Sequence, residues 1–322
     1  MHWTDSHLRR TFSLSAAAMA CSVFFLGARG VAGDPEVTFK RDGGTLAISI
    51  GGKPFAEYVF DRGTVARPYF SNVYSPAGIK VTRHHPPKSG DQDDHPHHTG
   101  IFMTFGNLNG VDYWHARRGK TVFAKFLQEP ERGVGKGSFV VRYQYRGPDG
   151  TSVLREDCRH TIRVTEHGYL IEYDGTFTAE VDCTFGSVEE GGMAARVATP
   201  IAVDSKKGGK LVDSKGRSGG TAVWGKRATW VDYGGPVDRQ HVGLTIMSHP
   251  KNFSGEPWWH ARDYGLFAAN PFGPLNKGKP LTLEKGKTLR LRFGVLAHSE
   301  GKAGDYKPTA ALETYLKISK ER

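Results

Sequence analysis

An all-β fold, one large antiparallel β-sandwich ending in a short helix, is the architecture this sequence predicts. Short alternations of apolar and polar residues recur from Val37 onward, separated by Gly, Pro, Asn and Asp. Glycine is abundant, 41 residues against 5 Met, a balance that favours turns and strands over long helices. Helical periodicity is convincing at one place, residues 310–318.

The elements follow in order. Residues 45–50 alternate and run into Gly51-Gly52, a turn. Residues 99–106 read as an apolar strand through Ile101-Phe102-Met103-Thr104-Phe105. Residues 139–145 alternate and stop at Gly147-Pro148-Asp149-Gly150, so the next strand folds back as a hairpin. Residues 158–164 and 169–177 flank Glu166-His167-Gly168, a second hairpin. Further strands are predicted at 194–203, 228–233, 241–247 and 288–296. In the final helix Leu312, Tyr315 and Leu316 form an apolar face beside Lys317 and Lys320. The length suits an extended sandwich of long sheets, or two sandwiches sharing a face. No fixed-period repeat points to a propeller, and no linker cuts the chain, so residues 34–322 are expected to be one domain.

Residues 1–33 read as an export signal. Arg9 and Arg10 precede an apolar stretch over 14–26, and Val31-Ala32-Gly33 offers a cleavage site. Arg9-Arg10-Thr11-Phe12 resembles a twin-arginine signal, so the periplasm is the expected compartment. A retained membrane anchor is the competing reading, and no later segment is long and apolar enough to span a bilayer. A lipoprotein site at Cys21 is disfavoured by the apolar Val23-Phe24-Phe25-Leu26 that follows.

Net charge is +11, but the basic residues are scattered without a run of five, which reads as a solvated surface rather than a nucleic-acid footprint. Three Cys exclude a disulfide scaffold and a four-Cys zinc module. Cys158 and Cys183 either pair in an oxidising compartment or sit as small buried residues, the second being favoured.

Five of the 14 His fall within residues 84–98, on a Pro- and Gly-punctuated loop that feeds the strand at 99–106. Such a junction is where a rigid scaffold presents reactive groups. If 95–98 is extended, His95 and His97 face one side and His98 the other. Asp93 and Asp94 are placed to accept a ring N–H and fix its tautomer. Three readings compete for this loop: a His–carboxylate acid/base pair, which is favoured, a metal site of two His and an Asp, and a polar surface loop. No HExxH-type spacing sharpens the metal reading.

Three further clusters follow. Asn107–Asn109 with Asp112, Tyr113 and Trp114 combines amides, a carboxylate and aromatics, as sugar sites do; burial of the aromatics is the plain alternative. Glu189-Glu190-Gly191-Gly192 before Arg196 suggests a carboxylate near a cation, or an exposed turn. Residues 258–273 pack Trp, His260, Arg262, Asp263, Tyr264 and Asn270 into sixteen positions.

Arg67-Pro68-Tyr69, Asp94-His95-Pro96-His97-His98, Asn109-Gly110-Val111-Asp112-Tyr113-Trp114, Glu190-Gly191-Gly192-Met193 and the stretch from Arg262 to Gly273 resemble the bacterial PmoA-like family, over about residues 45–298. The resemblance implies a galactose-mutarotase-like supersandwich whose His and carboxylate groups line a sugar cleft. Relatives stand beside carbohydrate-breakdown proteins. The family's methane-oxygenase label does not suit a chain without a spanning segment after its signal.

The expectation is an exported carbohydrate-active enzyme acting by hydrolysis, elimination or epimerisation, its partner a sugar or oligosaccharide. His95, His97 or His98 would move the proton, with Asp94 or Glu190 as complement. Asn109, Asp112, Arg196, His260, Arg262 and Asn270 would bind substrate, and Trp114 or Tyr264 would form the stacking wall. The alternatives are a non-catalytic carbohydrate-binding sandwich and a metal-dependent oxidoreductase. No metal ligand set or cofactor is assigned from sequence.

Overall fold

The computed structural model describes residue 2 and residues 33–62, 66–273 and 280–320. The predicted export signal, its twin arginines and Cys21 lie outside the described residues, apart from His2 and Gly33. Two large sheets dominate, and every strand pair in them is antiparallel. The first has nine strands, in the spatial order Trp258–Ala261, Leu266–Asn270, Gly191–Arg196, Ile101–Phe105, Tyr69–Ser71, Lys53–Val59, Thr45–Ile50, Glu36–Asp42 and Gly133–Val134. The second has eight: Lys210–Asp213, Trp230–Val237, Gln240–Ser248, Thr288–Glu300, Gly168–Ala179, Ser152–Thr165, Lys136–Arg146 and Lys120–Glu131. A small pair, Cys183–Phe185 with Leu281–Leu283, lies beside them. This is the extended sandwich of long sheets that the alternations predict.

Period-2 patterning decides which face is buried. Phe139, Val141, Tyr143 and Tyr145 are wholly buried on Lys136–Arg146. Between them, Arg142 forms a two-point ion pair with Asp157 on the neighbouring strand, at 2.6 and 2.7 Å. Tyr58, Phe70, Phe105 and Met193 answer from the first sheet within the same core.

A polar seam crosses that core. Tyr58 Oη lies 2.8 Å from Tyr143 Oη, and His160 Nε2 lies 3.2 Å from Tyr58 Oη. Glu156 accepts from Tyr145 Oη at 2.9 Å and from Tyr173 Oη at 2.6 Å. Burial disfavours charge in both groups, raising the Glu156 carboxyl to about 7 and lowering His160 to about 3. Cys158 borders the seam, and both it and Cys183 are buried and unpaired.

Two boundaries differ from expectation. The strand predicted at 194–203 ends at Arg196, and short 3₁₀ turns follow at Thr199–Ile201 and Val203–Ser205. Pro200 explains the stop, because it has no N–H to extend the ladder. The helix is longer than predicted, Pro308–Ser319, and starts on a proline whose missing N–H costs nothing there. Its Ala311 and Tyr315 pack on Leu170, Trp230, Met247 and Leu296, the outer face of the second sheet. Among the described residues no helix is long and apolar enough to cross a membrane.

Candidate active site

One end of the first sheet is built differently on its outer face. His260 pairs with Ala268, Ala268 with Ala194, and Ala194 with Phe102, so these four side chains form a cross-strand row. Arg196 and Leu266 form the next pair on the same face. The two alanines leave a trough, which the buried Trp114 fills. Its indole lies nearly parallel to His260, 5.9 Å between centroids at 12°, and meets Phe102 at 5.3 Å. Arg67, buried beneath, donates to the Trp114 carbonyl and sets its guanidinium 4.7 Å from the Phe102 ring centre. Gly192 makes the row possible: its φ is +81°, and a Cβ would come 1.9 Å from the Ala269 carbonyl oxygen.

The histidine loop folds over this row. Residues 95–98 turn rather than extend, with His98 N–H donating to the His95 carbonyl at 3.0 Å. His95 adopts φ +45°, a left-handed backbone that non-glycine residues rarely hold without support. Arg83, 1% exposed, supplies the support. It donates to the carbonyls of Gln92 at 3.0 Å, Asp94 at 2.7 Å, His95 at 3.0 Å and His98 at 3.3 Å. It also meets Asp94 Oδ1 at 2.7 Å, and Arg196 Nη2 reaches the same oxygen at 2.5 Å. At the loop's start His84 Nδ1 bonds Asp91 at 2.7 Å.

The turn changes which rings meet. His95 and His98 stack in parallel, 5.0 Å apart at 1°, and His97 stands edge-on to both, 5.8 and 4.3 Å away. His95 Nδ1 lies 3.0 Å from Asp94 Oδ2. On the other side of His97, at 4.6 Å, stands His115, whose Nδ1 lies 2.8 Å from Asp112 Oδ2. The His115 backbone N–H donates to the other Asp112 oxygen at 3.0 Å. Two His–Asp dyads therefore bracket one central imidazole. In each, the Nδ1 proton on the carboxylate leaves Nε2 as the basic nitrogen.

Electrostatics separate the members. Burial would raise the Asp94 carboxyl, but Arg196 and His95 outweigh it and hold Asp94 below its ordinary value. Burial, then the nearby His115 and Arg67, lower His97 to about 3, so it is neutral at physiological pH. His98 is lowered further by burial and by His97 and Arg196. Arg196 Nη1 sits 3.4 Å from His98 Nδ1 and can only donate, so His98 carries its proton on Nε2.

A second wall comes from the turn before Gly191–Arg196 and from Trp258–Ala261. Glu189 Oε2 accepts from Trp224 Nε1 at 3.1 Å and from Arg262 Nη2 at 3.3 Å, and the Arg262 guanidinium lies 5.2 Å from the centre of the exposed Trp224 ring. Burial and then Glu189 raise the Glu190 carboxyl, with His115 and Asp112 close enough to act on it as well. Burial and Arg262 lower His260 to about 3. One donor atom each from Glu189, Glu190 and His260 lie within 4.8 Å of one another, so these three residues could hold a metal ion.

The four sequence clusters thus meet on one face, and several members take other roles than expected. His98 and Trp114, each 1% exposed, form the floor and cannot shuttle protons with solvent or stack on a sugar. Arg196 is wholly buried and committed to Asp94 and to Gln92 Oε1 at 3.0 Å, so it positions the loop. Tyr264 packs on His95 at 4.6 Å with the Arg196 guanidinium 4.6 Å from its ring centre, leaving less face for a ligand. Asn270 is buried and donates to the carbonyls of Val188 at 2.8 Å and Glu189 at 3.2 Å, holding the acidic turn. His260 lies behind the carboxylates, 5% exposed, and Arg262 is occupied by Glu189.

Asn109 belongs elsewhere. It has φ +52° before Gly110 at +75°, and its side chain bridges to Asp182 and Thr184, so it is a turn residue. Asp112 orients His115 instead of reaching for substrate. His95, His97 and Asp94 stand at the solvent side with His115, and Glu190 is half-buried within electrostatic reach of His115 and Asp112. Sequence reasoning missed Arg83, His115 and Trp224; only the Asp112-x-x-His115 spacing carried a readable signal.

A search of curated proteins found no match. Among solved structures, a galactose mutarotase-like protein from Lactobacillus casei aligns over 81% of this chain and 100% of its own, with 8% identity and a TM-score of 0.39. A candidate kojibiose phosphorylase from the human microbiome aligns over 83% of this chain with 10% identity and a TM-score of 0.33, and the alignment spans 32% of that protein. A polysaccharide lyase aligns over 86% of this chain and 34% of its own, with 13% identity and a TM-score of 0.34. The architecture stands on the strand pairings themselves. None of these matches names the PmoA-like family. Residues 45–309 match a family profile, and the chain belongs to the Family of unknown function (DUF6807).

Proposed function

We propose that this protein is a carbohydrate-active enzyme that moves protons on a sugar with two His–Asp dyads, His95–Asp94 and His115–Asp112. The observation that carries the proposal is their placement next to the same neutral His97, with His95 exposed and His115 partly exposed. One dyad takes a proton through Nε2 while the other returns one, the division of labour that elimination and epimerisation need. Glycoside hydrolysis is less well served, because it needs two carboxyl groups on opposite sides of the scissile bond, and Glu189 and Glu190 are chain neighbours. A sugar suits the remaining surface: the exposed Trp224 offers an aromatic plate beside the Glu189–Arg262 pair. The PmoA-like motifs and the expected export signal extend the proposal to sugar breakdown in the periplasm.

The test is turnover of free aldoses and neutral or acidic oligosaccharides in D₂O, read by deuterium entry into the sugar or by formation of an unsaturated product. His95→Ala and His115→Ala should each lower kcat by about 10²–10⁴ with sugar binding nearly intact. Binding without turnover in the parent chain would instead make it a non-catalytic carbohydrate-binding sandwich.

A further inference from the structure

We propose that Glu189, Glu190 and His260 form a site for a divalent first-row transition ion. Two observations carry this independently of the acid–base proposal, on which it does not rest. The first is convergence: one oxygen from each carboxylate and one ring nitrogen lie within 4.8 Å of one another. Bonds of about 2.0–2.2 Å at tetrahedral angles place the donors of a filled site about 3.3–3.6 Å apart. Side-chain rotation of the two half-buried glutamates by about 1 Å closes it.

The second observation is His260 itself. It is 5% exposed, and neither Nδ1 nor Nε2 makes a well-formed hydrogen bond among the described residues, although the Glu189 backbone lies close enough to act on the ring. Buried polar groups are nearly always paired, so an imidazole this poorly satisfied beside two carboxylates points to a ligand. A neutral imidazole offers a lone pair of the kind a metal takes.

The surroundings fix the donors. Trp114 lies parallel to the His260 ring, the strand pairing with Ala268 sets its backbone, and Asn270 holds the carbonyls of Val188 and Glu189. Trp224 and Arg262 anchor Glu189 through Oε2. Among the described residues Glu190 has no ion-pair partner. One imidazole and two carboxylates suit Zn²⁺ or Mn²⁺ rather than a thiophilic ion, and three protein donors leave positions open for water or sugar oxygens.

The test is metal counting on the full chain, which needs no substrate and so fails or succeeds apart from the acid–base proposal. Protein stripped with chelator and titrated with Zn²⁺ or Mn²⁺ alone should bind one ion. Glu190→Gln, a conservative change at a half-buried position, and His260→Ala should each weaken it at least tenfold, with folding checked by circular dichroism. His97→Ala should retain the ion. No stoichiometric binding of either metal by the folded chain would overturn the site. So would an ion that survives Glu190→Gln and disappears in His97→Ala, since it would then sit on the histidine loop.

Discussion

Arg83 and Asp94 meet at 2.7 Å, and the Asp94 oxygen that Arg83 touches is also claimed by Arg196 at 2.5 Å. Two guanidiniums that are 1% and 0% exposed therefore share one carboxylate oxygen. The other Asp94 oxygen faces His95. Structure and chemistry are joined at this residue, because the group that orients a rim imidazole also neutralises the cations pinning the loop.

Asp94 and Asp112 should consequently fail in different ways. Asp94→Asn leaves two buried guanidiniums without their shared counter-charge and should cost about 3 kcal/mol or more in denaturant unfolding. Asp112→Asn touches a partly exposed pair, side chains 33% and 39% accessible, and should change stability by less than about 1 kcal/mol. Its effect should be on turnover, down by about 10²–10⁴. The reverse order of stability losses would contradict the roles given to Arg83 and Arg196.

The inter-sheet seam predicts two opposed pH dependences of stability between about pH 3 and 7. Glu156 is favoured as the neutral acid, its value raised from 4.5 to about 7 by burial. Its contribution is full below pH 4.5 and is lost as pH rises through about 7, amounting to about 3 kcal/mol. His160 runs the other way: lowered by burial to about 3, it contributes fully above pH 6.5 and loses that contribution as pH falls. Unfolding free energies from pH 4 to 9 should show Glu156→Gln escaping the parent's decline between about pH 4.5 and 7. Parallel curves for the two proteins would count against a buried neutral acid.

Trp224 offers an exposed aromatic surface beside Glu189 and Arg262. It is 37% exposed while its indole nitrogen is tied to Glu189. Trp224→Ala should leave the melting temperature within a degree or two and weaken oligosaccharide binding about tenfold, or 1.4 kcal/mol, in calorimetry. Unchanged affinity would move the sugar-binding plate elsewhere on the rim.

Strands were readable because alternation is a local property. Phe139, Val141, Tyr143 and Tyr145 announce a buried face without knowing what covers it, and Gly-containing turns mark where each hairpin reverses. The meeting of four polar clusters was readable too, since each stands at a loop–strand junction of one sheet. Individual roles were not. Asn270 and Asn109 have the composition of sugar ligands, yet a carboxamide serves backbone carbonyls equally well, and only three-dimensional neighbours decide. Arg83 carried no assignable role in the sequence, and its burial follows from five acceptors that the loop supplies after folding. Positive φ at His95 reversed the expected ring arrangement, a choice invisible in residue type.

The indole of Trp114 lies 5.6 Å from His98 on the loop and 5.9 Å from His260 on the sheet. The histidine loop and the wall carrying His260 thus share a common partition. A change of shape there transmits to both at once, so under the proposed function substrate range is not widened from one side alone. Variants selected for new sugars should carry paired substitutions across that partition, with Ala194 and Ala268 the positions where an added methyl group would tilt it first.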